Sequence, residues 1–305
     1  MCKAAFLVLL ASSAIAAQPP APVTGMVHTA QVDLAYEIYG PPSKATPVFA
    51  VNGGPGLSHA YMLQNDVWQK LSEERQIVFY DQRGTGKSMR VAAGASQGMD
   101  AQVADLEALR VKLGMDRIDL VGDSYGGLLS IAYVVAHPEH VRRLILSDAV
   151  PGWKEIVHLL PSVFPDVEER DAAEQKRLGD TPEAAQASLR DHFRMIFYSP
   201  ELLERYMAGF KDMGYNPATG AAVGTATENL DFTSALTKFT CPTLVITGRY
   251  DMNVAPLTAW RMYKAIPGAS FEVFEKSGHL PSYEEPDKYV QVIDSFLNAP
   301  DHPTP

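Results

Sequence analysis

The chain has little cysteine and no block of basic residues, and both shortages exclude classes of protein. Its 305 residues include two cysteines, Cys2 and Cys241, too few for a disulfide framework or a cysteine-rich zinc site. Lysine and arginine number 26 against 36 aspartates and glutamates, so the formal net charge is −10 and the pI is near 5.3. Such a chain lacks the electrostatic footprint that binds a polyanion, and no nucleic acid partner is expected.

A long hydrophobic run is also lacking. The apolar stretch from Ala4 to Ala17 is shorter than the roughly 20 residues that span a bilayer. It follows the positive charge of Lys3 and contains the small-residue pattern Ala14-Ile15-Ala16, which is typical of a cleaved secretory signal. Residues 1–17 are therefore predicted to be a signal peptide, and the mature protein is expected to be secreted or periplasmic, with no membrane span.

What is present is a long alternation of short apolar runs and helical patterns, in a chain that is 46% hydrophobic. Most of the apolar runs show no polar alternation, which is typical of strands buried on both faces of a parallel sheet. The sequence therefore predicts an α/β fold with a doubly wound sheet. The predicted strands are Val32–Tyr39, Pro47–Val51, Ile77–Tyr80, Ile118–Val121, Arg143–Ser147, Thr243–Thr247 and Phe271–Phe274.

This alternation stops between residues 151 and 235. The stretch has no convincing strand, is rich in Ala, Glu, Arg, Leu and Met, and is punctuated by prolines. We interpret it as a helical cap inserted between two strands of one sheet. The predicted domains are a core formed by residues 18–150 and 236–305 and a cap formed by residues 151–235.

The motif with the clearest chemistry is G-x-S-x-G at residues 122–126, which contains Ser124. It lies directly after the predicted strand Ile118–Val121 and directly before a predicted helix. A serine nucleophile occupies a strained turn in this context, and the flanking glycines are needed because a Cβ would clash with neighbouring strands. Ser124 is therefore a candidate nucleophile.

A serine hydroxyl needs a base, and the base needs an acid to orient it. Asp251 follows the predicted strand Thr243–Thr247, and His279 follows Phe271–Phe274, in the chain order serine, acid, histidine. Other histidines, such as His192 in the predicted cap, do not follow a strand and are interpreted as surface or packing residues.

Two glycine-rich loops have different predicted roles. The segment Asn52–Gly56 follows the strand Pro47–Val51, where its backbone could contribute half of an oxyanion hole, with the amide of Tyr125 as the second donor. The segment Gly84–Ser88 resembles the end of a phosphate-binding loop. That motif requires a glycine where this chain has Asp81, which argues against a nucleotide-binding function.

Together these segments resemble the proline iminopeptidase family of α/β-hydrolases. The resemblance implies removal of an N-terminal residue, typically proline, from peptides or aminoacyl amides and arylamides, with no metal or cofactor. The segments that carry it are GGPG at 53–56, DQRGTGKS at 81–88, GDSYGG at 122–127, GRYDM at 248–252 and SGH at 277–279.

The resemblance implies a role for each matching residue. Ser124 is the expected nucleophile, Asp251 the acid and His279 the base, and the amides of Gly54 and Tyr125 are the expected oxyanion donors.

Members of this family hold the substrate's free ammonium with glutamates, because a buried cation needs a paired anion. Where one branch has glutamate after the catalytic aspartate, this chain has Met252. Glu228, late in the predicted cap, is the nearest candidate for that role.

Two other functions remain open from the sequence. The same machinery could serve a carboxylesterase or lactonase acting on small esters, or the chain could be a silent binding protein on a hydrolase scaffold. The sequence predicts a peptide or another small molecule as the binding partner and gives no oligomeric state.

Overall fold

The structure is a computed structural model that describes residues 21–153, 159–179, 181–209 and 214–300. The predicted signal peptide, residues 1–17, lies outside these ranges. Within them, no helix combines the length and the apolar character needed to cross a membrane.

The centre of the molecule is an eight-stranded sheet. The strands are β1 Val23–His28, β2 Asp33–Tyr39, β3 Val48–Val51, β4 Ile77–Tyr80, β5 Ile118–Asp123, β6 Val141–Ser147, β7 Thr243–Gly248 and β8 Ser270–Phe274. Their order across the sheet is β1-β2-β4-β3-β5-β6-β7-β8. All pairs from β4 to β8 are parallel, whereas β1 with β2 and β2 with β4 are antiparallel.

The predicted α/β fold with a mostly parallel sheet is confirmed. All seven predicted strands form, with small shifts at their ends. The strand β1 was missed. It is largely exposed at the edge of the sheet, so it has no buried apolar run to reveal it.

Helices cover both faces of the sheet. They are α1 Val67–Leu71, α2 Met99–Lys112, α3 Tyr125–Ala136, α4 Leu160–Val163, α5 Pro165–Leu178, α6 Pro182–Met195, α7 Pro200–Ala208, α8 Pro217–Thr227, α9 Thr233–Leu236, α10 Pro256–Ala265, α11 Pro281–Glu284 and α12 Pro286–Asn298. Short 3₁₀ helices lie at His59–Leu63 and Pro138–His140.

The two faces of the sheet belong to two separate apolar cores. Along β3, Phe49 and Val51 point into one core, whereas Val48 and Ala50 point into the other. The first core is completed by α2, α3 and α10, and the second by α1 and α12. This two-sided burial explains why the strands show apolar runs without alternation.

The chain between β6 and β7 carries the helices α4 to α9, in the region predicted to be a cap. Where the segment leaves and returns, Gly152 forms a β-bridge with Asp231, and the amide of Phe232 donates to the carbonyl of Pro151 at 2.8 Å. Several of its apolar side chains, including Phe193 of α6, pack into the second core. The exact division of the chain into domains stays a prediction.

Candidate active site

Ser124 occupies a strained turn between β5 and α3. Its φ is 53° and its ψ is −120°, a conformation that residues with a side chain rarely adopt. Such strain is found at functional sites, where the surrounding structure holds it in place. The strand thus ends one residue before Ser124, and the helix begins one residue after it.

Glycines allow this turn to approach its neighbours closely. A Cβ on Gly126 would lie 2.1 Å from the carbonyl oxygen of Val51, on the neighbouring strand β3. A Cβ on Gly127 would lie 2.2 Å from Cβ of Ala149. No real Cβ approaches other atoms this closely, so both positions require glycine, for the reason that the sequence predicts.

Asp251 and His279 lie after the carboxyl ends of β7 and β8, and both are buried. Nδ1 of His279 is 2.7 Å from Oδ2 of Asp251. The other carboxylate oxygen, Oδ1, accepts hydrogen bonds from the amides of Asn253 and Val254, each at 2.8 Å. Because the carboxylate is fixed on both sides, it can orient the histidine ring with the proton on Nδ1 and leave Nε2 as an acceptor.

One pocket joins the candidate nucleophile to the candidate base. Ser124, Asp123, His279 and Asn253 line its floor, together with Gly54 and Tyr61, while His192, Phe193 and Ile196 enclose it from the segment between β6 and β7. Nε2 of His279 accepts a hydrogen bond from the side-chain amide of Asn253, with 3.1 Å between the two nitrogens. In the described part of the chain, Oγ of Ser124 has no hydrogen-bond partner, so it is free to meet a ligand.

Two backbone amides beside Ser124, those of Gly54 and Tyr125, are available as hydrogen-bond donors. The amide of Gly53 is already occupied, because it donates to Oη of Tyr61 at 2.6 Å. Neither the amide of Gly54 nor that of Tyr125 donates to any described residue, and Tyr125 is the first residue of α3, where no intrahelical partner exists. The side chain of Tyr125 points away and donates to Gln102 at 3.0 Å.

Comparison with known proteins gives the same fold and a narrower family. A family model described as the alpha/beta hydrolase fold matches residues 46–286. A proline iminopeptidase of Heyndrickxia coagulans is 34% identical over 266 residues, covering 83% of this chain and 91% of the relative. One from Saccharolobus solfataricus is 30% identical over 284 residues, covering 88% of this chain and 89% of the relative. The chain belongs to the proline iminopeptidase family of α/β-hydrolases.

Solved structures share the fold of this family member, and one of them is an esterase. A thermophilic esterase from Thermogutta terrifontis superposes with a TM-score of 0.68 at 26% identity, covering 90% of this chain and 97% of the esterase. VinJ superposes with a TM-score of 0.74 at 25% identity, covering 91% of this chain and 99% of VinJ. The chain is therefore a hydrolase whose fold by itself does not select the substrate.

The family resemblance leaves the amine-binding carboxylate unassigned, and the structure does not bring Glu228 to the pocket. Glu228 is the exposed residue at the end of α8, where its Oε1 accepts from the side chain of Asn229 at 3.2 Å. The described residues that line the pocket do not include it. Amine binding by Glu228 therefore stays a prediction from the resemblance.

Sequence reasoning also missed residues that do line the pocket. His192 was interpreted as a surface or packing histidine, yet it faces the site from α6. Enclosure of its ring, and then the charge of His279, lower the pKa of His192 to about 4, so it is neutral at pH 7. Its position depends on how the cap packs over the core, for which the sequence has no local signal.

Asp123 is a second missed residue, at the variable position directly before Ser124 in the motif. Its side chain is buried, and Oδ2 accepts a short hydrogen bond from Oη of Tyr61. Burial raises the pKa of the Asp123 carboxyl to about 6, although His279 and the hydrogen bond from Tyr61 act in the opposite direction. An acidic residue at the end of a buried strand was the signal that could have revealed it.

Asp148 lies behind the histidine and its acid. It follows β6 with a φ of 48°, and Oδ1 accepts from the amide of Gly248 at 2.9 Å. Burial, and then the Asp251 carboxylate, raise the pKa of Asp148 well above its usual range. One polar atom of each of Asp148, Asp251 and His279 lies within 4.8 Å of the others.

Proposed function

We propose that this protein is a serine aminopeptidase of the proline iminopeptidase type, which releases an N-terminal residue, typically proline, from peptides or aminoacyl amides. The observation that carries the proposal is the single pocket that contains Ser124 at its strained turn and His279 held by Asp251. Membership of the proline iminopeptidase family supports the choice of substrate.

The proposed first step forms an acyl-enzyme. Oγ of Ser124 attacks the carbonyl carbon of the scissile amide, and its proton passes to Nε2 of His279. Asp251 stabilises the resulting imidazolium through Nδ1. The amides of Gly54 and Tyr125 donate to the oxyanion that develops on the carbonyl oxygen.

Collapse of this intermediate breaks the carbon–nitrogen bond, and the imidazolium gives its proton to the departing amine. Water then attacks the ester that links the acyl group to Ser124, with His279 again accepting a proton. The released N-terminal residue leaves with a new carboxyl group, and Ser124 regains its hydroxyl proton.

A panel of chromogenic substrates tests this function. We expect turnover of prolyl p-nitroanilide and little or no turnover of N-acetyl-prolyl p-nitroanilide, because the site is proposed to read a free amine. Ser124→Ala should lower turnover of the free arylamide more than about a thousandfold, the size of nucleophile contributions in serine hydrolases. A mutant that retains more would exclude Ser124 as the nucleophile.

A second candidate is an esterase that acts on small acyl esters, supported by the superposition on the Thermogutta terrifontis esterase. Turnover of p-nitrophenyl acetate without turnover of any unblocked aminoacyl arylamide would favour it. Failure of a fluorophosphonate to label Ser124 in folded protein would instead indicate a silent binding scaffold.

We also propose that the protein is exported, as the N-terminal apolar run and the pattern Ala14-Ile15-Ala16 indicate. Expression of the full chain in a bacterium, followed by fractionation and mass measurement, tests this. A periplasmic or secreted chain that has lost about 17 residues supports export, and a full-length cytoplasmic chain contradicts it.

A further inference from the structure

The buried carboxylates of this protein differ in the groups that stabilise their charge. Arg83 forms a bidentate ion pair with Asp105, at 2.7 and 2.8 Å. Glu284 accepts from three backbone amides, those of Tyr198, Ser199 and Gly278. Asp123 has neither kind of partner among the described residues, and this distinguishes it from carboxylates that only stabilise the fold.

The hydrogen bonds of Asp123 leave one oxygen unused. Oδ2 accepts from Oη of Tyr61, and no described residue donates to Oδ1. No lysine, arginine or histidine nitrogen of the described chain forms an ion pair with this carboxylate. An ionised carboxylate has about four acceptor sites, so the free oxygen has capacity for a charged donor.

The unused oxygen belongs to a side chain that lines the pocket beside the candidate nucleophile. Among the described residues that line the pocket, Asp123 is the sole carboxylate. It directly precedes Ser124 in the chain and is fixed by the end of β5. The nitrogen of an aminoacyl substrate is two bonds from the carbonyl carbon that Ser124 attacks, so amine and carbonyl must be bound by neighbouring groups.

We propose that the carboxylate of Asp123 binds the protonated amino or imino group of the substrate. This inference rests on the proposed aminopeptidase function and adds the group that selects a free N-terminus. A substrate cation would supply the charge partner that Asp123 lacks, through a charge-assisted hydrogen bond in an enclosed site. The raised pKa of Asp123 agrees with a carboxylate that awaits such a partner.

A structural role for Asp123 is the competing explanation. Oη of Tyr61 donates to Asp123 and accepts from the amide of Gly53, and a Cβ on Gly53 would lie 2.9 Å from Cβ of Ser124. Asp123 could therefore act only by holding Tyr61 and the loop beside Ser124. That role would affect every substrate equally, whereas an amine anchor affects amines alone.

The variant Asp123→Asn separates these roles, because an amide keeps the size and still accepts from Tyr61 but has no charge. We expect kcat/KM for prolyl p-nitroanilide to fall about 100-fold, mainly through KM, as loss of a charged partner predicts. For the uncharged ester p-nitrophenyl acetate, compared at a pH above the acid limb of both proteins, we expect kcat/KM to stay within about threefold of wild type. Melting temperatures establish that the variant is folded.

A binding measurement that needs no amide turnover completes the test. Protonated prolinamide should inhibit ester hydrolysis by the wild type, and Asp123→Asn should weaken this inhibition about 100-fold. N-acetyl-prolinamide, which carries no charge, should bind both proteins equally. Tyr61→Phe serves as the matched variant, since it removes the hydrogen bond to Asp123 but keeps the carboxylate, and it should retain the preference for the charged inhibitor.

Several results would overturn the proposal. Equal losses on the arylamide and the ester would reduce Asp123 to a positioning residue. Unchanged arylamide turnover and unchanged prolinamide inhibition in Asp123→Asn would remove it from amine binding, and a selective loss in Glu228→Gln would move the anchor to the cap. A wild type that hydrolyses the ester, ignores arylamides and is not inhibited by prolinamide contradicts the aminopeptidase function itself.

Discussion

Nδ2 of Asn253 lies 3.1 Å from Nε2 of His279, the ring nitrogen proposed to take the proton of Ser124. Because Nδ1 of the ring donates to Asp251, Nε2 is the acceptor in this contact. The backbone amide of Asn253 also donates to Asp251, at 2.8 Å. Asn253 therefore donates a hydrogen bond to Asp251 through its backbone and a second one to His279 through its side chain.

This contact predicts that Asn253 slows the reaction of the free enzyme. Asn253→Ala removes the donor to Nε2 but keeps the backbone amide that holds Asp251. Since a typical hydrogen bond contributes about 0.5–1.5 kcal/mol, we expect the variant to react about 2- to 12-fold faster with a fluorophosphonate. The rate of loss of activity measures this, and a rate at or below that of wild type would contradict it.

The pH dependence of ester hydrolysis should be set by His279. Burial alone lowers the pKa of His279, but the carboxylates of Asp251 and Asp123 outweigh it and raise the pKa above 6.5. The base must be neutral, so kcat/KM should fall as the pH decreases through that value, with its midpoint above pH 6.5. Nearby His192, with a pKa near 4, is neutral throughout this range, and burial raises the pKa of the Asp148 carboxyl well above its usual value.

A pH series of kcat/KM for p-nitrophenyl acetate measures this midpoint. Asp123→Asn removes one of the charges that raise the pKa of His279, and its midpoint should lie at lower pH than that of the wild type. An acid limb centred below pH 6.5 in the wild type would show that burial dominates instead.

Two glycine substitutions should have opposite effects on the free energy of unfolding, because Gly126 is closely packed at the turn and Gly224 has open space around it. Gly126→Ala places a Cβ 2.1 Å from a backbone oxygen of β3 and should cost about 3 kcal/mol of unfolding free energy or more. Gly224 lies in the helix α8 with no heavy atom within 4 Å of its Cβ position. Gly224→Ala should stabilise the protein by about 0.5–1 kcal/mol.

Urea denaturation of both variants gives these free energies, with the wild type as reference. A stable Gly126→Ala variant would mean that β3 and the turn separate more readily than the packing indicates.

Much of the fold follows from the sequence because buried parallel strands are visible as apolar runs. Chain order and strand ends were also enough to bring Asp251 and His279 together, since the carboxyl ends of parallel strands meet at one edge of a sheet. Side-chain direction was not accessible in the same way. The roles of Asp123, His192 and Asn253 depend on how loops and the cap pack over that edge.

The segment DQRGTGKS at residues 81–88 is recognisable from the sequence, but its contacts are not. It is one of the segments that carry the family resemblance, and the structure shows which contacts its residues make. The side chain of Asp81 accepts a hydrogen bond from the backbone amide of Lys87 at 2.7 Å, and Arg83 forms a buried ion pair with Asp105. The carboxylate of Asp81 lies against Gly86 inside the loop, which agrees with the rejection of a phosphate-binding role.

The β-bridge between Gly152 and Asp231 bears on how the segment between β6 and β7 can change in length and sequence. The long segment between β6 and β7 leaves and re-enters the core where Gly152 pairs with Asp231 and the amide of Phe232 donates to the carbonyl of Pro151. Between these ends it also contacts the core, for example where the amide of His279 donates to the carbonyl of Ile196. Because its two ends are paired with each other, the segment can change in length without changing the register of any strand. Because His192, Phe193 and Ile196 of this segment line the pocket, changes in the segment can alter the choice of substrate while the strands that carry Ser124, Asp251 and His279 stay in register.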